Sequence, residues 1–476
     1  MHTIRTRFFG RKPLLAEIVR GVLAPTQPLD FALIGLKTIG KSRLLKYLAS
    51  PEGPLLGPDP HGWRPERFRD GHNIIVGLYD CRWPEAQTNL PEFVRQQLVA
   101  QLQADQNIPE DWLAIDIQSS PGQHILQLTR RLNQHGFRLV IMLDNFDSVL
   151  QSKHISPDML NQLRPLTDEL GLIIAATQPL HDLQTGNKDL ASSPLFNVMH
   201  QHFLSLLETE AAEEWLAAYG EHIRWEPVVA DTLLEMTGRH PFLLARLNDV
   251  LLETRLHLPP DTVLTAEHLP LLQLRLAEHG RPLFEIIWRR LKEKEEKYGS
   301  LKSEQSLIHQ LLSAPRGLSM IEPENTGFLN WLINYAIVVY NGSGYRLFSP
   351  LLHEYLANQL KLTVAIPAAV WPRTAAIQAG RTAAGQTAGQ PANSQLKLSP
   401  IEAELLRYFQ AHSRQVISVD RLLADVWGKP TASPRRVQEA IRRLRNQLRQ
   451  TAPPIGTIEN ERGRGYRFVP ARREIG

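Results

Sequence analysis

The N-terminal part of the chain alternates short apolar runs with amphipathic stretches. Four runs carry polar residues only near their ends, at Phe31–Ile34, Ile74–Tyr79, Arg138–Leu143 and Leu172–Ala176. Such runs are typical of strands buried on both faces of a parallel sheet. A fifth candidate strand, Val198–Phe203, contains two histidines, which without a third ligand do not predict a metal site. The pattern predicts an α/β domain built on a parallel sheet.

Helical periodicity dominates the next region. Helices are predicted at Glu208–Tyr219, Ala230–Thr237, Ser303–Ser313 and Leu351–Leu360. Two apolar runs on either side of Asn341–Gly344 predict a β-hairpin before the last of these helices. Mixed charges between Trp288 and Lys302 place opposite signs four residues apart, which predicts a solvated helix face, and we assign it no function.

The C-terminal part begins with a segment that has no apolar periodicity. Thr374–Gln395 is rich in Ala, Gly, Thr and Gln, which predicts a flexible tether of about 22 residues spanning roughly 25 to 30 Å in root-mean-square terms. Three predicted helices follow, at Ser399–Glu402 and beyond, at Val419–Trp427, and from a Ser433 cap with Pro434 at the first position. The third helix has an apolar stripe formed by Val437, Ala440, Ile441, Leu444 and Leu448. Strands are predicted at Thr457–Glu459 and Gly465–Phe468.

Composition limits the class of protein. A chain of 476 residues is too long for one hydrophobic core and suggests about three domains. Its single cysteine, Cys81, excludes an internal disulfide and a cysteine-rich zinc site. No apolar stretch approaches the roughly 18 residues needed to cross a bilayer, and no signal-type segment is present near Met1. We therefore expect a cytoplasmic protein with no membrane partner.

Charge is distributed unevenly along the chain. From Leu396 to the end there are 16 Lys and Arg against 8 Asp and Glu, whereas the residues before Leu396 carry 37 against 41. The third C-terminal helix carries one acid, Glu439, and six arginines, which are Arg435, Arg436, Arg442, Arg443, Arg445 and Arg449. A solvated helix usually alternates charge signs, so this density of one sign predicts a nucleic acid partner.

The segment GLKTIGKS, from Gly35 to Ser42, lies between a predicted strand and a predicted helix. In such a P-loop, backbone N–H groups wrap a phosphate chain, and the helix N-terminus adds partial positive charge. Lys41 is expected to reach the β and γ phosphates, and the Ser42 hydroxyl to ligate Mg²⁺. The predicted nucleotide-binding residues of this segment are Gly35, Lys37, Thr38, Gly40, Lys41, Ser42 and Arg43.

Asp144 follows the third apolar run, where a doubly wound sheet holds its ligands. We expect it to hold Mg²⁺ directly or through water. Many P-loop ATPases place an acid at the next position to orient the attacking water, but this chain has Asn145, which cannot take a proton. Asp147 could substitute as a catalytic acid or could cap a helix. Thr177, after the fourth run, could sense the γ-phosphate, or it could belong to an ordinary turn at the end of the strand.

The first three-quarters of the chain resembles the STAND class of AAA-related ATPases. The matching motifs are an early F-x-G-R ending at Gly10 and Arg11, the P-loop, the strand ending in D-x-x-D, and a G-x-x-P turn ending at Pro241. The resemblance covers residues from about 5 to 362. It implies that Gly10, Arg11 and Pro241 contact bound nucleotide, that the turn couples nucleotide state to domain movement, and that an internal winged helix is present.

Residues 396–470 resemble the effector domain of OmpR and PhoB type response regulators. The matching segments are LSPIEAELL, VWG, RRVQEAIRRLRNQL and GRGYRF. The resemblance implies a winged helix-turn-helix whose third helix enters the major groove while the wing around Arg464 touches the minor groove or backbone. Arg443 is the first choice for a guanine contact, and the other arginines of the helix are expected to grip phosphates or share the reading. The receiver domain usual in that class is absent.

These patterns predict five parts: a P-loop nucleotide-binding domain (1–205), a helical domain (206–280), an internal winged-helix-like domain (281–364), a flexible linker (365–395) and a winged helix-turn-helix DNA-binding domain (396–470). We expect ATP or ADP and Mg²⁺ as cofactors, and double-stranded DNA as partner, with an effector ligand, a partner protein or a homo-oligomer as further possibilities.

The favoured interpretation is a transcription regulator in which slow ATPase chemistry or nucleotide exchange controls the DNA-binding domain, located at the nucleoid when bound to DNA. One alternative is a DNA-dependent ATPase that remodels nucleoprotein in mobile-element or defence biology. Another is a protein-binding winged helix, against which the six arginines argue.

Overall fold

The computed structural model describes residues 7–113, 119–179, 195, 198–220, 223–259, 262–314 and 317–362, together with 405–406, 408–409, 412, 415–426, 434–449, 456–461 and 465–470. The chain divides into two compact units, 1–374 and 375–476. The first three predicted domains therefore lie in one unit. The predicted linker and the predicted helix start at Ser399–Glu402 lie outside the described residues, as do Trp427, Ser433 and Arg464.

A five-stranded parallel sheet organises the first unit. Its strands, in chain order, are β1 (Phe31–Ile34), β2 (Ile74–Asp80), β3 (Arg138–Asp144), β4 (Gly171–Ala176) and β5 (His200–Phe203). Their spatial order is β2-β3-β4-β1-β5, and all four pairings are parallel. Every residue of β1, β3 and β4 is buried, because helices cover both faces. The predicted parallel sheet is confirmed, but β2, predicted to be fully buried as well, lies at an edge of the sheet and is buried only in part.

Helices connect these strands. They are α1 (Lys12–Val22), α2 (Lys41–Leu48), α3 (Pro84–Thr88), α4 (Leu90–Ala104), α5 (Glu110–Leu113), α6 (Pro121–Gln134), α7 (Asp147–Leu150) and α8 (Pro157–Asn161), with short 3₁₀ turns at Glu66–Phe68 and Arg164–Asp168. Local sequence sets their ends: Ser120 and Gln123 form a capping box at α6, and this pairing satisfies two free N–H groups of the first turn. The fifth strand begins at His200 rather than at Val198, and it is the exposed edge of the sheet.

The rest of the first unit is mainly helical. Its elements are α9 (Thr209–Gly220), α10 (Pro227–Thr237), α11 (Pro241–Leu256), α12 (Leu269–Glu293), α13 (Glu295–Tyr298), α14 (Leu307–Ser313), α15 (Thr326–Asn334), β6 (Val338–Tyr340), β7 (Tyr345–Leu347) and α16 (Pro350–Leu360), with 3₁₀ turns at Ala266–His268 and Pro323–Asn325. The predicted hairpin is confirmed, since β6 and β7 pair antiparallel. One apolar core continues from Phe31 in the sheet to Leu360, and the boundary predicted between 280 and 281 lies inside α12.

The charged segment between Trp288 and Lys302 differs from its prediction. Helix α12 ends at Glu293, with Lys294 as its C-cap, so the expected pairing across four residues spans a break in the helix. Arg290 pairs with Glu293 instead, at 2.8 Å. The next predicted helix begins at Leu307, four residues later than expected from Ser303, because Ser303–Ser306 forms a turn first.

The second unit contains β8 (Val416–Ile417), α17 (Val419–Asp425), α18 (Pro434–Arg449), β9 (Gly456–Glu461) and β10 (Gly465–Pro470). The three strands form a sheet in the order β8-β10-β9, of which β8 was not predicted. The predicted apolar stripe of α18 is buried in full, from Val437 to Leu448. Among the residues described in both units, no helix is long and apolar enough to cross a membrane.

Candidate functional site

The P-loop connects β1 to α2 at the carboxyl edge of the sheet. Gly40 is the N-cap of α2, with φ at 101°, a left-handed conformation that glycine adopts at little cost. Thr38 also has positive φ, at 75°, and strain of this kind clusters at ligand-binding loops. Lys41 is buried and donates from Nζ to the carbonyl oxygens of Gly35 at 2.6 Å and Leu36 at 3.0 Å. The lysine therefore folds back against the loop.

The electrostatic setting of Lys41 is unusual for a lysine. Burial lowers its pKa to about 8; the carboxylates of Asp147 and Asp144 act in the opposite direction, and the cations Lys37 and Arg290 lower it further. A buried cation with weak compensation is stabilised by an incoming anion. The loop is therefore suited to bind a negatively charged group.

Two aspartates end adjacent strands beside this loop. Asp80 is the last residue of β2 and lies opposite Asp144, the last residue of β3. Asp144 is buried, with 8% of its surface exposed. Its carboxylate and the Ser42 hydroxyl are oxygen ligands of the kind that Mg²⁺ prefers, so the residues present fit that ion.

Asn145 links the two strand ends. Its φ is 56°, and its side-chain amide donates to Asp80 Oδ1 at 3.0 Å. Asp80 also accepts from Arg82, at 2.6 Å for the shortest contact. Hydrogen bonds from Arg82 first, and from Asn145, hold the pKa of Asp80 below its usual value despite partial burial. Asp80 is therefore an ionised carboxylate at the edge of the site, and it was missed by sequence reasoning although it ends its strand as Asp144 does.

Asp147 contacts the end of β4. The alternative that Asp147 caps a helix is wrong, since Phe146 is the N-cap of α7 and Asp147 is its first helical residue. Its carboxylate accepts from the Thr177 N–H at 2.9 Å and from the Thr177 hydroxyl at 2.8 Å. The structure thus brings Asp147 and Thr177 together, and their roles toward phosphate stay predictions.

Arg290, on α12, contacts Thr177 and Gln178 at the end of β4. Its Nη2 donates to Thr177 Oγ1 at 3.2 Å, and its guanidinium lies against the Gln178 amide oxygen once that amide is oriented to accept, at 2.7 Å. The sequence separation from Thr177 is 113 residues. No local pattern reveals such a contact, and the charged segment that contains Arg290 was interpreted as solvated surface.

Arg11 and Gly10 join the start of the chain to the same region. The Arg11 guanidinium donates to the carbonyl oxygens of Ile39 at 2.8 Å and Ser205 at 3.0 Å, while its N–H donates to Glu208. Burial lowers its pKa to about 10. Gly10 has a φ of 71°, and a Cβ there would lie 2.6 Å from Glu208 Oε2. Arg11 therefore supports the P-loop backbone at Ile39, and a direct contact of Arg11 with nucleotide stays a prediction.

The G-x-x-P turn is ordered as the sequence predicts. Gly238 is the left-handed C-cap of α10, with φ at 54°, and Pro241 opens α11. His240 is buried and its Nδ1 accepts from the Phe242 N–H at 3.2 Å. Burial, and to a smaller extent Arg11, lowers the pKa of His240 to about 3, so the ring is neutral. The ring also packs against Phe348, with centroids 5.3 Å apart, which ties the turn to the hairpin region.

Two further residues of the predicted sites have contacts of their own. Arg43 donates to the Arg7 carbonyl oxygen at 2.6 Å. Lys37 is exposed at the P-loop. No group of three or more metal-ligating His, Cys, Asp or Glu side chains occurs among the residues that the structure describes.

The basic helix α18 presents its arginines differently from one another. Arg442 is exposed. Arg445 is half-buried, and its Nε donates to the Ile458 carbonyl oxygen of β9 at 2.8 Å while its guanidinium lies 5.7 Å from the Tyr466 ring. The side chains of Arg435, Arg436 and Arg443 lie outside the described residues. Arg445 thus connects α18 to β9, and its predicted contact with DNA stays a prediction.

One segment of the chain, at its C-terminal end, matches a known protein family. Residues 393–468 match the family described as "Transcriptional regulatory protein, C terminal". The PhoB protein of Klebsiella pneumoniae, a phosphate regulon transcriptional regulatory protein, is 38% identical over 77 residues, or 16% of this chain and 33% of that protein. The transcriptional regulatory protein YvrH of Bacillus subtilis is 37% identical over 68 residues, or 14% and 29%. The chain spans about a third of the length of these relatives.

Solved structures are similar to the larger part of the chain at low identity. The Walker-type ATPase of Pyrococcus abyssi is 15% identical with a TM-score of 0.45, covering 73% of this chain and 96% of that one. The ORC1 protein of Aeropyrum pernix, solved in complex with DNA, is 17% identical with a TM-score of 0.36, covering 75% and 94%. Residues 393–468 thus resemble the DNA-binding C-terminal domain of OmpR and PhoB type regulators, and the unit before them has a parallel sheet with the P-loop that is typical of P-loop ATPases.

Proposed function

We propose that this protein is an ATP-binding transcription regulator whose nucleotide state controls how its C-terminal domain binds DNA. The observation that carries the proposal is the contact of Arg290 with Thr177 at the P-loop edge of the sheet. It connects the nucleotide site to a helix that packs into the helical region, which is the arrangement that a nucleotide-dependent switch needs.

The nucleotide end of the proposal rests on the P-loop. Its backbone N–H groups and the N-terminus of α2 would receive the phosphates, with Lys41 moving from the carbonyls of Gly35 and Leu36 to the β and γ phosphates. Ser42 and Asp144 would hold Mg²⁺, which neutralises phosphate charge when bound.

The DNA end of the proposal rests on α18. The family match supports a DNA-binding domain here, and the apolar stripe of α18 is buried while Arg442 is exposed. Exposed arginines such as Arg442 would hold phosphates, and Arg443 would read a guanine edge in the major groove. Arg464 would contact DNA from the wing.

Coupling between the ends is expected through α12. A nucleotide can shift a conformational equilibrium only by interacting differently with its two states. Arg290 offers such a difference: it donates to Thr177, and a γ-phosphate next to Lys41 would compete for the same guanidinium. Movement of Arg290 would be transmitted through the buried face of α12, which includes Ile287 and Leu291.

The test selects bound fragments from random DNA with ATP, with ADP and without nucleotide, and compares wild type with Lys41→Ala. A nucleotide-dependent change in affinity or selected sequence is expected for wild type and not for Lys41→Ala. Lys46→Ala is the matched control, because Lys46 lies on the same helix and is exposed. A Lys41→Ala protein that binds ATP and responds to it normally contradicts the proposal. DNA-stimulated ATP turnover with nucleotide-independent DNA selection would favour the nucleoprotein-remodelling ATPase instead.

A further inference from the structure

The contact between Asn145 and Asp80 bears on ATP hydrolysis. Asn145 occupies the position where many P-loop ATPases have an acid that orients the attacking water. Its amide donates at 3.0 Å to a carboxylate on the adjacent strand, Asp80, and Asp80 lies opposite Asp144 in the register of β2 and β3. An acid and an amide therefore face each other across the two strands, with the acid on β2.

We propose that Asp80 positions the water that attacks the γ-phosphorus of ATP, so that the chain hydrolyses ATP in spite of Asn145. The inference rests on the proposed function in one respect, that ATP binds at the P-loop. In the reaction the water oxygen bonds to the γ-phosphorus, and the bond from that phosphorus to the β–γ bridging oxygen breaks, its electron pair leaving with ADP. The proton of the water passes by way of the Asp80 carboxylate to the released phosphate. Asn145 is a positioning residue, because its amide fixes the Asp80 carboxylate.

The other two carboxylates at this edge are already engaged. Asp144 is the residue suited to Mg²⁺. Both oxygens of Asp147 accept from Thr177, each at 2.9 Å from its N–H. Asp80 accepts from Asn145 and from Arg82; the Arg82 side chain is 68% exposed and that of Asp80 29%, and an ion pair that solvent reaches is weak. Oδ1 of Asp80 stays bound to Asn145, and Oδ2, which accepts from the exposed Arg82 side chain, is the oxygen that can bind a water when Arg82 moves away.

The experiment measures ATP turnover and, separately, the dissociation constant of ATP for full-length variants. Asp80→Asn should lower turnover by at least about a hundredfold, the size of a lost general base, and should leave ATP affinity within about threefold. The exchanged variant Asp80→Asn with Asn145→Asp keeps one acid and one amide in contact and should recover at least about tenfold of the lost rate. Asp70→Asn, an exposed aspartate before β2, is the matched control and should behave as wild type.

Equilibrium ATP binding and a thermal melting curve show that each variant is folded. Turnover of Asp80→Asn within threefold of wild type overturns the inference, as does an exchanged variant no faster than Asp80→Asn. Wild type that binds ATP but hydrolyses it no faster than Lys41→Ala also overturns it, while leaving intact a switch that works by nucleotide exchange. Absence of ATP binding by wild type would instead refute the proposed function.

Discussion

Replacing Arg290 by alanine should weaken the binding of ATP more than that of ADP. Arg290 donates to Thr177 at 3.2 Å, its side chain is 23% exposed, and it lies close enough to Lys41 to lower the pKa of that amine. If the guanidinium binds the γ-phosphate when ATP enters, the variant loses one charge-assisted hydrogen bond, worth about 1.5 to 3 kcal/mol. A loss of about 2 kcal/mol corresponds to about thirtyfold in a dissociation constant. The preference for ATP over ADP should fall by about that factor.

The assay is a pair of titrations, with ATP and with ADP in the presence of Mg²⁺, on wild type and Arg290→Ala. Arg289→Ala is the matched control, because it removes the same charge from the next residue of α12, whose side chain is exposed. Long-range electrostatics affect both variants similarly, so the difference between them isolates the direct contact. The affinity of Arg290→Ala for ADP should stay within about threefold of wild type.

Two results would refute this reasoning. Equal weakening of ATP and ADP would mean that Arg290 supports the fold of the site and does not distinguish the γ-phosphate. Unchanged affinities for both nucleotides would mean that the contact with Thr177 only packs α12 against the sheet. In either case the switch would have to operate through the Gly238–Pro241 turn.

Two further predictions concern other parts of the chain. Arg445→Ala should destabilise the second unit by about 2 kcal/mol in urea unfolding, because it removes the hydrogen bond to Ile458 and the ring contact with Tyr466. Arg442→Ala should leave the stability unchanged and should reduce the slope of DNA affinity against salt concentration, on logarithmic scales, by about one. Equal stability of the two variants would contradict this prediction. Because burial lowers the pKa of His240 to about 3, the stability it contributes is complete above pH 6.5 and is lost at about 1.4 kcal/mol per pH unit as the pH falls below that value. His240→Asn, which can still cap α11, should remove that slope in unfolding measured from pH 7 to pH 5, and an unchanged slope would show that the ring already titrates normally.

Local patterns were sufficient for the five strands of the first unit and for the basic helix, but not for β8. The strands ending at Asp80, Asp144 and Ala176 are apolar runs with polar ends, and a buried parallel strand requires that pattern. The stripe of α18 is equally local, because residues three and four apart share a helix face. The ends of the strands were predicted less well. Val198 was expected in β5, but this edge strand begins at His200, where it pairs with Phe31.

Contacts between distant side chains could not be read from sequence. Asn145 and Asp80 are 65 residues apart and meet only because β2 and β3 are neighbours in the sheet. Arg290 was assigned to a solvated face because its neighbours alternate in charge, and the direction of its side chain depends on how α12 packs. Arg445 belongs to a run of arginines that all look alike in sequence, yet its position places it over β9. The spacing of residues along a helix predicts which side chains share a face, but the residues that this face contacts depend on how the helix packs in the folded chain.

The energy expected for the Arg290 contact limits how sharp the proposed switch could be. About 2 kcal/mol shifts a two-state ratio about thirtyfold, whereas moving a population from 1:99 to 99:1 takes about 5.5 kcal/mol. A sharp response therefore needs additional contacts that differ between nucleotide states. We expect them at the turn around His240, because its ring packs against Phe348, after the hairpin, and lies near Arg11, whose guanidinium donates to the Ile39 carbonyl oxygen of the P-loop. A phosphate that displaced the P-loop backbone would disturb the contacts of Arg11 and His240 as well as that of Arg290, and the two together would supply a response that neither supplies alone.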